Sequence, residues 1–315
     1  MRARVENVLL KGMRVFERYP PRFWPTWLTV GALRALHCLP LSALVGLGAG
    51  FGDLMYRVYG SRRSIALINL ELCFPDWSAT HRHEVARQNF RMIGQSAFTV
   101  GMNWWATREQ LERRISEANR EHYDGALAQG QNVILLAPHF VALELGGLYL
   151  SRERPMVSMY QRTKNPVIDK LVRRGRSRFG GQLVERKADM RDLVRAIRSG
   201  KPFYYLPDQD AGRKGVFVPF FGVQTSTFPA LSRFAELGRA RVIPCCTRQL
   251  ANPVRWEITY DAPLSDFPSG DLVEDTACMN RVIEAAVRRT PEQYFWVHKR
   301  FKTRPPGEPD LYANP

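Results

Sequence analysis

The chain contains no Gly-x-Ser-x-Gly, so it lacks the nucleophile elbow of the α/β-hydrolases, and an attacking group would have to come from a substrate. It also has no Cys-x-x-Cys. Its five cysteines, Cys38, Cys73, Cys245, Cys246 and Cys278, are odd in number, which excludes a disulfide scaffold and a zinc ribbon and suits a reducing compartment. Cys245 and Cys246 stand in an apolar run and read as small core residues. His81 and His83 lie one residue apart at a polar helix start; they read as solvated, and no metal is assigned. There is no zinc-finger spacing, no ribonucleoprotein motif and no stripe of basic residues, which argues against a nucleic-acid partner. Acidic residues are scarce: 30 against 46 Lys and Arg, a formal net charge of +16. That balance implies an anionic partner, either anionic lipid or an acidic protein.

A clean membrane span is missing as well. A bilayer core takes about 20 apolar helical residues. The run Phe23–Leu39 contains Arg34 and His37, and a charge at mid-bilayer costs roughly 2.5–3.5 kcal/mol. Leu41–Tyr59 carries Asp53 and Arg57 near its end. Phe23, Trp24 and Trp27 resemble an interfacial aromatic anchor, and basic residues flank both ends (Arg14, Arg18, Arg22; Arg57, Arg62, Arg63). One tilted span or a pair of in-plane helices is expected, with two buried helices of a soluble domain as the alternative; two basic flanks on one side suit the pair or a hairpin. The long basic start excludes an ordinary cleaved signal. Gly46, Gly48, Gly50 and Gly52 follow no strand, so they are not a dinucleotide loop; close packing of membrane helices is the simpler expectation.

The rest of the chain alternates. Ser78 is the expected cap of a long amphipathic helix running to Trp105, and Leu111–Leu127 reads as a polar helix. Strands are expected at Asn132–Ala137, Met156–Tyr160, Gln182–Val184, Phe203–Leu206, Arg241–Thr247 and Trp256–Tyr260. Helices are expected at Phe140–Leu150, Val167–Phe179, Met190–Ser199, Phe228–Gly238 and Asp271–Arg289. This order predicts an α/β fold with a mainly parallel central sheet flanked by helices. The last two strands, joined at Asn252 and Pro253, are expected to be antiparallel. Residues 1–60 form an N-terminal membrane-associated helical region, and 61–315 one catalytic domain.

Ligands of such sheets bind at the carboxyl ends of the strands. His139 follows one strand, Arg162 the next, and Asp208 and Asp210 a third. If Phe140 onward is helical, Glu144 comes within reach of the His139 ring. A histidine oriented by a carboxylate is the layout of a general base.

FWPTWL at Phe23, INLELCFPDWS at Ile65, HFVALELGG at His139, YYLPDQDAGRKG at Tyr204, VFVPFFG at Val216 and PEQYFWVHKRFKTRPPGEPDLY at Pro291 together resemble the late acyltransferases of lipid A biosynthesis, the lauroyl and myristoyl transferase family. The resemblance implies a fold similar to that of glycerophosphate acyltransferases, which share the His-x-x-x-x-acid motif. It implies transfer of an acyl chain from acyl carrier protein to a 3-hydroxyacyl hydroxyl of a Kdo-bearing lipid A precursor, at the cytoplasmic face of the inner membrane and without a cofactor. In that reaction His139 would be the base and Glu144 would fix its tautomer. Arg162, a nearby lysine or backbone N–H groups would meet the oxyanion. Asp208 and Asp210 would orient an arginine or sugar hydroxyls. Arg213 and Lys214 would bind phosphate or Kdo carboxylates. Tyr160-Gln161-Arg162 departs from the Tyr-Arg-Pro of many relatives, and Glu144 is the acid of lauroyl-type members, whereas FGG at Phe179 and YYLPDQD resemble the myristoyl type. The alternatives are an acyltransferase for another membrane acceptor (lysophospholipid or glycolipid), a non-enzymatic basic peripheral protein, and a soluble thioesterase.

Overall fold

The computed structural model describes residues 20–186, 190–251 and 254–313. Arg14 and Arg18 of the basic start, and the Asn252-Pro253 turn, lie outside them. Four helices come first: α1 (Trp24–Leu36), α2 (Leu41–Val58), α3 (Gly60–Cys73) and α4 (Ala79–Thr99). Ser78 caps α4 as expected, its side chain accepting from the His81 N–H. The expected continuous helix to Trp105 breaks at Val100 and resumes as the short α5 (Gly101–Trp105). Among the described residues no helix is long and apolar enough to cross a membrane.

Alternate glycines of α2 do different things. A Cβ on Gly48 would come within 2.6 Å of the Gln95 backbone, and Gly52 meets the backbone around Phe90, so α2 lies flat on α4. Gly46 and Gly50 face open space. Close packing at Gly48 and Gly52 is therefore present, but its partner is the amphipathic α4 of the body and not a second membrane helix as expected. Asp53 fixes the same contact through Arg87 at 2.7 Å and Arg91 at 2.5 Å. The other side of α2 exposes Leu47, Phe51, Leu54 and Val58, which recur at helical spacing.

After α6 (Arg108–Glu112) the chain enters the sheet. The segment expected to be one helix from Leu111 to Leu127 instead holds β1 (Ile115–Ala118) and α7 (Glu121–Ala128). Here β1 is a four-residue edge strand with only Ile115 buried, so its sequence carries almost no strand pattern. The other strands are β2 (Asn132–Leu136), β3 (Val157–Tyr160), β4 (Gln182–Glu185), β5 (Phe203–Tyr205), β8 (Ala240–Leu250) and β9 (Arg255–Tyr260). They order as β1-β9-β8-β2-β5-β3-β4. Every pair is parallel except β8 with β9, as expected. A hairpin, β6 (Val216–Phe220) with β7 (Val223–Thr227), stands apart and was not anticipated.

Successive residues of β2 enter different cores. Val133 and Leu135 pack in one apolar cluster, Ile134 and Leu136 in the other, so both faces of the strand are buried. The crossover helices are α8 (Leu143–Ser151), α9 (Pro166–Ser177) and α10 (Met190–Arg198), with α11 (Ala230–Gly238) leading into β8 and α12 (Leu272–Arg289) closing the body. Asn165 caps α9 and Asp271 caps α12, each accepting two backbone N–H bonds.

Candidate active site

The sheet register builds the site. Leu136 pairs with Tyr205, and the Ala137 N–H donates to the Tyr205 carbonyl at 2.9 Å. Beyond that pair the two chains diverge into loops, which carry His139 and Asp208. Asp208 holds His139 twice. One carboxylate oxygen accepts the His139 backbone N–H at 2.8 Å, and the other lies 2.5 Å from Nδ1. A carboxylate accepts, so the ring presents Nδ1–H to it and Nε2 is left to take a proton.

The expected bond between Glu144 and the ring is not formed. His139 to Ala142 is not helical; α8 starts at Leu143, and Phe140 instead bridges to Tyr294. The spacing argument for Glu144 assumed helix from Phe140. Glu144 forms a two-pronged pair with Arg176 of α9, with Arg176 Nε donating at 2.8 Å and Nη2 donating to the second oxygen. Sequence reasoning missed Arg176. Its signal was the basic end of a helix that follows a site-bearing strand.

His139 and Asp208 each favour the charged form of the other. Burial opposes the imidazolium, but the charge and hydrogen bond of Asp208 outweigh it and hold His139 above the ordinary histidine range. Burial likewise opposes the Asp208 carboxylate. The His139 charge, bonds from its ring and backbone, and the Arg300 charge outweigh that and keep Asp208 below the usual carboxylate range.

His139, Glu144, Arg176 and Lys214 line one cavity of about 480 Å³. Leu143, Leu148, Met156, Met159, Tyr204 and Phe234 supply apolar wall. This is an apolar pocket with a few convergent polar groups, the usual form of a small-molecule site. Gly146 lets α8 sit against β8, because a Cβ there would overlap the Thr247 side chain.

The remaining expected residues separate. Arg162 is outside the cavity lining, with its side chain 66 % exposed and Glu185 at 3.4 Å. The reason is local: Asp169 takes the Tyr160 hydroxyl and the Thr163 N–H, which pins the turn with Arg162 outward. Asp210 spends both oxygens on Thr303, from its N–H and its hydroxyl. Arg213 and Lys214 are exposed, and Lys214 alone of the two reaches the cavity. His81 and His83 find separate partners, Glu84 and Tyr56.

A strap from the carboxyl end holds the His139 loop. The Val141 N–H donates to Gln293 and the Phe295 N–H to the His139 carbonyl. The buried Asn89 donates to the Glu292 and Tyr294 carbonyls, and Asn69 to those of Trp296 and His298. Buried Arg300 ties the strap to the Ser226 carbonyl and the Thr227 hydroxyl of β7. The dense Pro291–Tyr312 motif thus has a structural task, which is to fix the loop that carries His139.

The chain has clear relatives among known proteins. Residues 15–303 match the model of the bacterial lipid A biosynthesis acyltransferase family. The lipid A biosynthesis lauroyltransferase of Escherichia coli (strain K12) is 34 % identical over 294 residues, 93 % of this chain and 96 % of that protein. The palmitoleoyltransferase of the same organism is 33 % identical over 93 % and 95 % of the two chains, and the myristoyltransferase 32 % over 93 % and 91 %. With the motif histidine in an apolar cavity and the match running nearly end to end, the chain belongs to the bacterial lipid A biosynthesis acyltransferases and is an acyltransferase.

Proposed function

We propose that this enzyme transfers a fatty acyl chain from acyl carrier protein to a 3-hydroxyacyl hydroxyl of a Kdo-bearing lipid A precursor. The observation that carries the reading is His139, held by the buried Asp208, in the lining of an apolar cavity large enough for a small-molecule ligand. His139 Nε2 takes the proton of the acceptor hydroxyl as its oxygen attacks the thioester carbonyl. The C–O bond forms, and negative charge gathers on the carbonyl oxygen. Collapse breaks the C–S bond, and the imidazolium returns the proton to the departing sulfur. A base of this kind contributes typically about 10²–10⁴-fold. Asp208 orients the ring and stabilises the imidazolium.

Glu144 acts through Arg176, which it holds at the cavity, and Arg176 with Lys214 meets the developing oxyanion. The exposed turn of Arg213 and Lys214 receives acceptor phosphates or Kdo carboxylates. Asp210 serves the site by holding the strap at Thr303. Arg162 is left at the rim.

Residues 1–60 hold the 61–315 domain at the cytoplasmic face of the inner membrane, lying in the interface. The support is the exposed row Leu47, Phe51, Leu54 and Val58, with Leu28 of α1. The deciding experiment incubates the full chain with dodecanoyl-acyl carrier protein and the Kdo-bearing precursor in mixed micelles and reads the lipid by mass spectrometry. One added acyl group, lost in His139→Ala, is expected. No acyl gain, or a His139→Ala enzyme within about tenfold of wild type, would overturn the reading.

A further inference from the structure

We propose that the outward face of α9 is the docking surface for the acidic carrier protein that delivers the thioester. This rests on the donor assigned above. Lys170, Arg173 and Arg174 recur at i, i+3 and i+4, so they share one face of the helix, and Lys164 precedes it in the same turn. All four are exposed, and among the described residues none lies within ion-pair distance of a carboxylate. The helix sorts its charge by side. Its single acid, Asp169, is buried and occupied by Tyr160 and Thr163. Cations three and four residues apart repel one another, and an anionic partner relieves that cost.

The place of this face matters as much as its charge. Tyr160 and Gln161 before α9, and Arg176 near its end, line the cavity that contains His139. A protein seated on α9 therefore rests beside the cavity and is not required to enter it. An acyl chain on an extended arm spans the remaining gap. The same helix then has two separate uses: Arg176 faces the reaction, and Lys170, Arg173 and Arg174 face the donor.

A lipid surface is the rival occupant, and the distribution of apolar side chains decides against it. Among the described residues, exposed large apolar side chains gather in the amino-terminal region, at Trp24, Leu28, Leu39, Leu47, Phe51, Leu54, Val58 and Tyr59, and no exposed large apolar side chain lies in the segment from 161 to 177. An in-plane membrane face inserts apolar side chains beside its cations. A cationic face without them suits a water-soluble polyanion, which it attracts at long range and orients.

The test compares the full-length wild type with the triple variant Lys170→Glu, Arg173→Glu, Arg174→Glu and with the milder triple change to Gln. Two donors are used at fixed acceptor and low salt: dodecanoyl-acyl carrier protein and dodecanoyl-pantetheine. Binding of holo-acyl carrier protein is read separately by fluorescence anisotropy. Flotation with phosphatidylglycerol vesicles reports on the membrane. The charge-reversed enzyme should show at least a tenfold higher KM for the carrier donor, a matching loss of anisotropy binding and an unchanged kcat. Its kinetics with pantetheine and its flotation should equal wild type, and the Gln variant should fall between. Unchanged carrier binding overturns the proposal, as does equal loss with both donors. Loss of flotation with carrier kinetics intact would assign the face to the membrane and overturn it too. A wild type inactive with both donors would instead strike at the proposed reaction, so the two failures are distinct.

Discussion

His139 and Asp208 each stand three residues beyond a pair of facing strand residues, Leu136 and Tyr205. Two adjacent parallel strands that end in register deliver their loops to the same height. That is why an imidazole and a carboxylate so far apart in sequence meet at 2.5 Å. Asp208 is fully enclosed, whereas the His139 side chain keeps 24 % exposure towards the cavity. The carboxylate is thus a positioning group shielded from substrate, and the imidazole is the group that substrate reaches.

The pair makes a pH prediction with a definite sign. A general base works when deprotonated, so kcat/KM should fall as pH drops through the His139 pKa, which lies above the ordinary 6.5. Asp208→Asn removes the charge that raises it and leaves burial, which lowers it. The acid limb of the pH–rate profile should therefore move to lower pH, while the plateau falls by about 10²-fold or more. A limb that stays in place would show that the carboxylate does not govern the histidine.

Glu144 touches Arg176 and not the ring, so its loss should look different. Among the charges that raise the His139 pKa, Glu144 acts after Asp208. Glu144→Gln should lower kcat by about 10–10²-fold, in line with loss of a transition-state donor's support, and move the acid limb less than Asp208→Asn does. Arg176→Met should cost at least as much in kcat. If the double variant loses the product of the two single losses, the residues do not act as a unit.

Much of this fold was legible because its signals are local. Ser78 announced a helix start, and the buried strands β2, β5 and β8 announced themselves as apolar runs between polar crossovers; the caps Asn165 and Asp271 emerged only in the structure. The edge strand β1 did not, because a strand with one buried residue is paid for by its neighbour's hydrogen bonds and not by its own pattern. At the site, the convergence of His139 and Asp208 was readable from strand ends. The identity of the histidine's partner was not, since it depends on a register that no short-range spacing encodes. The His-x-x-x-x-Glu spacing pointed to the wrong contact because His139, Phe140 and Val141 are held by the strap and the helix starts only at Leu143.

The glycines of α2 give a paired stability test. Gly48→Ala drives a methyl group into the Gln95 backbone and should cost about 1–3 kcal/mol, read as a lower Tm in detergent. Gly50→Ala meets nothing and should stabilise the helix by roughly 0.5–1 kcal/mol. Equal effects at the two positions would mean that α2 does not lie on α4.

The outward side of the same helix yields the last prediction. Leu47, Phe51, Leu54 and Val58 are 49 %, 40 %, 50 % and 64 % exposed, while Asp53, Gly48 and Gly52 bind the inward side to α4. A helix fastened along its length cannot turn to span a bilayer, so only its outer row is free to enter the interface. Each half-exposed side chain should contribute about 1 kcal/mol on insertion, roughly half the value for full burial. Replacing all four with Ser should then weaken vesicle binding by about 4 kcal/mol, close to three powers of ten. Fold and turnover of a soluble thioester donor should persist, because none of the four lines the cavity. High salt should leave the wild type bound if apolar insertion holds it, whereas attraction between exposed charges fades as the Debye length shrinks to about 3 Å at 1 M. Flotation of the four-Ser variant at the wild-type level would place the membrane contact on another surface.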